Sequence, residues 1–279
     1  MTLVISGSIA LSPDSEILPL THPRIGYENL LRGDDVTITV SSEQDGYERD
    51  SVTNGFTWDF WKPETISLGV PAVIAFEFTE AKEINYCGIA AHNLTTVEAS
   101  AELQYYDYTT SAWVSLGEVL PGSGNGNKII MFLFDTVFAS LWRVIIRGEG
   151  DTPAIGVINL GKTLDVERRL YQGHTPITLS KKTVIKPQLS EGGQWLGRSI
   201  IRNGASTNIS LKNLTAAWIR TFFYPFMEQA RIYPFFWAWR PEDYPDEMAY
   251  CQITDDIRPT NSGPRDLMSV NFLVNAIVE

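Results

Sequence analysis

The stretch from residue 36 to residue 160 alternates short apolar runs with turn residues. In the run over residues 97–106, odd positions such as Val97 and Leu103 are apolar, whereas even positions such as Glu98 and Glu102 are polar. This period of two is typical of a β-sheet with one face in water. The absence of a convincing helix between the runs predicts two antiparallel sheets packed as a jelly-roll sandwich. The runs cover residues 36–40, 72–78, 84–90, 97–106, 112–116, 129–134, 142–147 and 155–160.

After residue 165 the pattern changes to strands with one helix. Residues 214–230 place apolar side chains near helical spacing, with Thr215 as a capping residue. Pro225 lies inside this run and predicts a kink or a break, because proline lacks the amide hydrogen that a helix needs.

Strands are predicted on both sides of this helix. The turn signal Asn203–Gly204 predicts a hairpin between the strands that flank it. Alternate positions from Met268 to Val278 are apolar and predict a core-lining last strand. The predicted strands cover residues 177–189, 195–202, 207–212, 232–239, 247–253 and 267–278.

These changes in pattern divide the chain of 279 residues into three parts. Residues 1–34 are predicted to form an N-terminal arm, because prolines interrupt short apolar pieces that have no period. Residues 35–165 are predicted to form the jelly-roll sandwich, and residues 166–279 a second β domain with one helix. The predicted fold class is mainly β, and the length is sufficient for two cores.

The formal net charge of −11 is concentrated in the first part of the chain. Residues 1–165 carry 9 Lys and Arg against 22 Asp and Glu, or −13, and residues 166–279 carry 13 against 11, or +2. So acidic a surface disfavours phosphate backbones and anionic membranes, which bind through cationic contacts. We therefore expect no sequence-specific nucleic acid as a partner, and no membrane insertion, because no apolar run approaches membrane-spanning length.

Two further features bear on the compartment. The N-terminal apolar stretch has no Lys or Arg ahead of it and no recognisable small-residue cleavage site, which favours synthesis and assembly in the cytoplasm. Cys87 and Cys251 each lie inside a predicted strand, in different domains, and are expected to be buried, reduced side chains.

The chain contains residue types that form catalytic and metal sites in other proteins, but their spacing in the sequence does not match such sites. The three histidines have no cysteine or carboxylate at zinc-ligand spacing. The string at residues 122–126 resembles a serine-nucleophile elbow but lies between two predicted strands. The adjacent pairs Glu242–Asp243 and Asp255–Asp256 fit turn hydrogen bonding better than a glycosidase pair. The acidic residues between 34 and 50 lack the spacing of a calcium loop. We therefore predict no catalytic site, no metal site and no cofactor.

Clustered aromatic residues give the positive indications of binding. Trp58 and Trp61 lie in a loop that enters the sandwich, where an exposed indole would stack on a sugar or anchor a protein partner, and a buried one would serve the core. The stretch from residue 233 to residue 241 is denser still, and part of it is predicted to meet another subunit. The candidate interface residues are Tyr233, Phe235, Phe236, Trp237 and Trp239.

Several strings resemble known families. In the first half they resemble the discoidin-like, galactose-binding-like jelly roll, and in the second half a tail protein of long-tailed bacteriophages. The first set is residues 54–61, I-N-Y-C-G-I-A-A-H-N (84–93), E-L-Q-Y (102–105) and W-R-V-I-I-R-G (142–148). The second set is H-T-P-I-T-L-S-K-K (174–182), S-E-G-G-Q-W-L-G-R-S (190–199), F-F-W-A-W-R-P-E-D-Y-P-D-E (235–247) and G-P-R-D-L-M-S-V (263–270).

The resemblance implies a distal tail or baseplate ring protein at the tail tip of the virion. Its second domain would have a tail-tube-like fold and form a ring, with six subunits favoured over three. Its partners would be the tail tube protein, the baseplate hub and tail fibre proteins. Closed rings need complementary head-to-tail faces, which strand edges and aromatic anchors can supply.

Three hypotheses follow from these patterns and from the resemblance. The first is a structural, non-enzymatic virion component that connects the tail tube to the hub and fibres. The alternative is a carbohydrate-binding module that contacts the host surface through the sandwich loops. The third, a hydrolase of cell-wall sugars that uses one of the acidic pairs, ranks last.

Overall fold

The computed structural model describes residues 4–5, 9–11, 20–67, 69–119, 126–149, 151–170, 174–202, 204–263 and 265–277. Within these residues the chain is mainly β, with two large sheets and a separate two-stranded hairpin. The predicted mainly β fold class is confirmed. The strands are β1 Val4–Ile5, β2 Ile9–Leu11, β3 Arg24–Gly26, β4 Val36–Val40, β5 Ala72–His92, β6 Ser100–Asp107, β7 Ala112–Val119, β8 Ile130–Arg147, β9 Ile155–Gly161, β10 Thr163–Asp165, β11 Val184–Leu189, β12 Trp195–Arg202, β13 Ala205–Thr215, β14 Phe235–Ala238, β15 Met248–Ile253, β16 Thr260–Asn261 and β17 Leu267–Ile277.

Two long strands, β5 and β8, build both layers of the jelly-roll sandwich. The first part of β5 pairs with β4, and its second part pairs with β9. The second part of β8 pairs with β6, while its first part lies parallel to β2. The predicted runs 72–78 and 84–90 therefore belong to one strand, as do 129–134 and 142–147, because irregularities in the β5–β8 register interrupt the pattern without ending the strands.

The second half of β5 is buried on both of its faces. Cys87 and Ile89 point into the core of the sandwich. Tyr86 and Ala90 point the other way, into a separate apolar cluster that also contains Phe236 of β14. Burial on both faces explains why this segment reads as a continuous apolar run. The second cluster is the junction between the sandwich and the second large sheet.

The second large sheet has the order β10-β3-β14-β15-β17-β13, with β16 beside β17. Strand β3 comes from the predicted N-terminal arm and pairs with β10 and β14. In β17 the residues Val270, Phe272, Val274 and Ala276 are buried, as the alternation predicts. Val278, the last position of that pattern, lies outside the described residues.

The predicted helix is one helical stretch of three pieces. It consists of α1 Ala216–Trp218, a π-helical turn Ile219–Phe223 and α2 Tyr224–Ala230. The hydroxyl of Thr215 accepts a hydrogen bond from the amide of Trp218 at 3.3 Å, which confirms the predicted cap. Pro225 lies in the first turn of α2, directly after the π-helical turn. The interruption thus falls where proline removes an amide donor.

The hairpin predicted around Asn203–Gly204 is wrong in its pairing. Strand β12 pairs with β11, and β13 pairs with β17 instead. The predicted strand 177–189 is also divided, into a 3-10 helix, Ile177–Leu179, and β11. Ser190 and Gln194 close the β11–β12 turn through a backbone hydrogen bond of 2.9 Å, with Gly193 at φ +80°. The turn of the observed hairpin therefore contains Gly193 in the left-handed conformation, and it lies before the Asn203–Gly204 signal in the chain.

Both cysteines and one histidine are buried. Cys87 and Cys251 are free and fully buried, as predicted, and burial raises the pKa of both thiols. His92 bonds the carbonyl of Lys128 through Nε2 at 2.7 Å, and its Nδ1 accepts from the amide of Leu94 at 3.3 Å. A neutral ring with the proton on Nε2 satisfies both contacts. Burial lowers the pKa of His92 from 6.5 to about 4.

We expect the protein to lose about 2 kcal/mol of stability through His92 between about pH 7.5 and about pH 5. The folded pKa of about 4 lies below the unfolded value of 6.5, so the unfolded chain binds more protons as the pH falls. The contribution is complete above the unfolded pKa and is lost as the pH falls towards the folded pKa. Urea unfolding of wild type and of His92→Gln at both pH values tests this. An equal pH dependence in the two proteins would contradict it.

Candidate functional site

The loop at residues 54–61 has a fixed shape. Asn54 donates to a carboxylate oxygen of Asp59 at 2.8 Å and accepts from the amide of Phe56 at 2.7 Å. Gly55 has φ +80°, and its carbonyl accepts a hydrogen bond from the hydroxyl of Tyr250 at 3.1 Å. The loop is thereby attached to the second sheet.

The two tryptophans of this loop have different environments. Trp58 is 72% exposed, and its ring stacks on Phe56 with a centroid distance of 5.7 Å. Trp61 is fully buried in the sandwich core, and its Nε1 donates to the carbonyl of Ser42 at 3.2 Å. Only Trp58 of the pair offers a face to a ligand. Its role in contact with carbohydrate or a partner stays a prediction.

A groove of about 590 Å³ lies between this loop and strands β13, β15 and β17 of the second sheet. Arg32 stacks over the ring of Tyr233 at 4.1 Å, at the wall of the groove. The lining of the groove is mixed. The rings of Phe56 and Trp58 lie on the loop side, and the amide side chains of Gln252 and Asn275 lie on the sheet side. The lining residues that bear on the argument are Phe56, Trp58, Ile232, Tyr233, Lys182 and Ile277.

The candidate interface residues of β14 mostly point into the chain. Phe235 and Trp237 are fully buried in the core of the second sheet. Phe236 is fully buried on the other face of β14, at the junction with the sandwich. Tyr233 and Trp239, at the two ends of the segment, keep part of their surface in solvent. The prediction of a subunit contact therefore concerns Tyr233 and Trp239, and it stays a prediction.

The β11–β12 hairpin is a second candidate surface, which the sequence analysis did not select. The described side chains of both strands are exposed, and Trp195 is 75% exposed. The large apolar side chains that it exposes are Val184, Ile185, Leu189, Trp195, Leu196, Ile200 and Ile201. A signal was present, because Pro187 in the middle of β11 is typical of a strand outside a large sheet.

One member of each acidic pair makes an ordinary surface contact with an arginine. Asp256 accepts two hydrogen bonds from Arg231, at 3.1 and 3.3 Å, which lower its pKa. Arg240 lies 3.6 Å from a carboxylate oxygen of Asp243. In the acidic stretch, Glu43 accepts from the amide of Arg49 at 3.1 Å.

The described residues contain neither a cluster of metal-ligating side chains nor a helix able to span a membrane. Within the described ranges, no group of three or more His, Cys, Asp and Glu side chains is arranged to hold a metal ion. None of the helices in the described part of the chain has the length and apolar character needed to cross a membrane.

Comparison with known proteins gave partial structural similarities. No family profile matches the chain, and no curated protein matches it. A CBM32 module of Clostridium perfringens, CpGH89CBM32-6, is similar over 48% of this chain and 99% of its own, at 17% identity and a TM-score of 0.39. The family 32 CBM of NanJ from the same organism, solved with galactose, is similar over 49% and 98%, at 14% identity and a TM-score of 0.39. A GH29 fucosidase of Ruminococcus gnavus is similar over 48% of this chain at 12% identity and a TM-score of 0.41, and the chain covers 26% of its length.

Proposed function

We propose that this protein is a structural, non-enzymatic component of a long-tailed bacteriophage tail tip, which acts by binding copies of itself and neighbouring tail proteins. The observation that carries the proposal is the β11–β12 hairpin, which exposes apolar side chains along both strands. Clustered exposed apolar surface of this kind marks protein interaction sites. The phage assignment rests on the sequence strings of the second half, and the virion location and assembly in the host cytoplasm belong to the proposal.

Two measurements test this function. Mass spectrometry of purified phage particles should find the chain in the virion, and negative-stain images of the purified protein should show rings. Particles without the chain would contradict the virion role. A protein that stays monomeric at the high concentration of assembly would contradict the ring. Either result would remove the tail-tip assignment without affecting the description of the sandwich fold.

A second candidate function is carbohydrate binding by the loop at residues 54–61. The observation that favours it is the exposed Phe56–Trp58 stack at the wall of the groove. Aromatic faces at the mouth of a groove stack on sugar rings, and the fixed loop reduces the entropy that binding would cost. In this function the hairpin would have no direct role.

We expect Trp58→Ala to weaken glycan binding by about tenfold or more, if the chain binds glycans, because truncation removes an exposed anchor. The matched control is Phe138→Ala, since Phe138 is 71% exposed and does not line the groove. Wild type and both variants are compared on a glycan array and by calorimetry with any hit. An array without hits removes this candidate, and equal loss in both variants shows that the Trp58 ring has no specific role.

A further inference from the structure

The two faces of the β11–β12 hairpin differ in chemistry. The cross-strand register places Ile185 opposite Ile200, and Leu189 opposite Trp195. Because side chains alternate along a strand, Ile185 and Leu189 share one face of β11. Lys186 and Gln188 lie on the other face, opposite Ser199 and Gly197. The hairpin therefore has one mainly apolar face, on which Pro187 lies opposite Arg198, and one mainly polar face.

Nothing in the described part of the chain covers the apolar face. Ile185, Leu189, Trp195 and Ile200 are 42, 55, 75 and 56% exposed. An isolated two-stranded hairpin is only marginally stable in water and gains stability when an apolar face is packed. Such a face is typical of an element that becomes covered in an assembly.

The charge of the hairpin indicates what covers it. The hairpin, residues 184–202, carries Lys186, Arg198 and Arg202 against Glu191, which gives +2. The whole chain has −11, so the remainder carries −11 − 2 = −13. A basic apolar segment attached to so acidic a body is complementary to a second copy of that body, and complementary charge favours both encounter and register.

The groove described above supplies a matching apolar surface. It brings together exposed side chains from the sandwich loop, from the turn between α2 and β14, and from β17: Phe56, Trp58, Ile232, Tyr233 and Ile277. Trp58 and Ile232 are each 72% exposed. The groove also lies at the base of the hairpin, because Lys182 and Ala205 line it. A segment that enters the groove would meet these apolar side chains.

We propose that the apolar face of the β11–β12 hairpin docks in the aromatic groove of a second copy of the chain. This inference rests on the proposed structural function and names its partner surface. Each copy carries one hairpin and one groove, so the contact joins two different surfaces. Repeated head to tail, it closes into a ring where the rotation between copies allows it.

We expect the double variant Trp195→Ser with Ile200→Thr to raise the dissociation constant for self-association of the full chain by at least about tenfold. The matched control is Gln188→Thr with Ser199→Thr on the polar face, which should associate like wild type. Both doubles keep the net charge, and sedimentation velocity over a concentration series measures association. Added salt should weaken the wild-type association, because screening reduces the attraction between the hairpin and the acidic body.

Cross-linking between different copies tests the acceptor surface. Leu196→Cys places a thiol on the hairpin, and Thr57→Cys places one at the groove, while the two native cysteines are fully buried. A mixture of these two variants should give a covalent dimer with a short bismaleimide. A mixture of Leu196→Cys with Phe138→Cys should not, because Phe138 does not line the groove.

The outcomes separate this inference from the proposed function. A wild-type protein that forms rings while the Trp195→Ser/Ile200→Thr variant associates equally well would overturn the inference and leave the structural function standing. A chain absent from particles and monomeric in solution would overturn both. Binding of duplex DNA or of anionic vesicles that is lost with Lys186→Ser, without self-association, would assign the hairpin to another partner and also overturn the inference.

Discussion

Replacing Gly88 with valine is expected to lower the free energy of unfolding by about 3 kcal/mol, because overpacking of a tight contact has a cost of this order. A Cβ at Gly88 would lie 2.6–2.7 Å from three atoms of the Phe236 ring. Both residues are part of the junction between the sandwich and the second sheet, where neither backbone can withdraw without opening buried apolar surface. Urea or thermal unfolding measures the effect.

Gly69→Val is the matched control for this substitution. A Cβ at Gly69 meets no heavy atom within 4 Å, so the same change in side chain should have little effect there. Limited proteolysis adds a second readout, because a loosened junction should expose the chain between the two sheets. Equal stability of Gly88→Val and Gly69→Val would show that the two sheets do not pack as described.

The sequence predicts the sandwich strands well because alternation and continuous apolar runs report burial directly. The same signal does not reveal what a buried face contacts. The apolar run at residues 84–90 predicts a strand. Within this run only Gly88, which has no side chain, indicates that another group packs closely against the outer face of the strand, and that group is the ring of Phe236. That contact joins residues far apart in the chain, so local periodicity carries no information about it.

The aromatic stretch at residues 233–241 illustrates the same limit. Its density exceeds what a small core readily absorbs, and it therefore predicts that part of the stretch meets another subunit. The chain itself covers Phe235, Phe236 and Trp237, because β14 lies between the core of the second sheet and the junction. Aromatic density cannot distinguish a second face covered by the same chain from one covered by another copy.

Polar positions also depart from simple alternation. In β6, Ser100 and Glu102 lie on the predicted wet face but are buried. Arg147 forms an ion pair with Glu102, and Glu118 accepts a hydrogen bond from Ser100, so a polar cluster covers this part of the sheet. A pattern of apolar and polar residues predicts which side faces the core, but not how charged neighbours shield the other side.

A buried ion pair attaches the N-terminal segment to the second sheet. Arg24 of β3 and Asp165 of β10 are opposite each other in the strand register, and their side chains are 3.0 Å apart. Both are largely withdrawn from water, with 4 and 16% of their side chains exposed. Burial raises the pKa of Asp165 and lowers that of Arg24, although each charge favours the other. The pair is therefore sensitive to the loss of either partner.

We expect Arg24→Met to lower the free energy of unfolding by about 3–5 kcal/mol, because it leaves the Asp165 carboxylate buried without its cation. The double variant Arg24→Met with Asp165→Leu should recover most of this loss, since no charge then remains to be desolvated. The Arg24→Met loss should also shrink as the pH falls. A buried carboxyl with a raised pKa binds a proton more readily in the folded chain, so its unfavourable contribution is complete above its folded pKa, decreases as the pH falls through that pKa, and is gone below the unfolded pKa.

Chemical unfolding of wild type, Arg24→Met, Asp165→Leu and the double variant completes a thermodynamic cycle for the pair. If the double variant is no more stable than Arg24→Met alone, the cost comes from lost packing of the Arg24 side chain and not from an uncompensated charge. A loss for Arg24→Met that stays constant from neutral to acid pH would lead to the same conclusion. In either case the attachment of β3 to the second sheet would depend on its backbone pairing with β10 and β14.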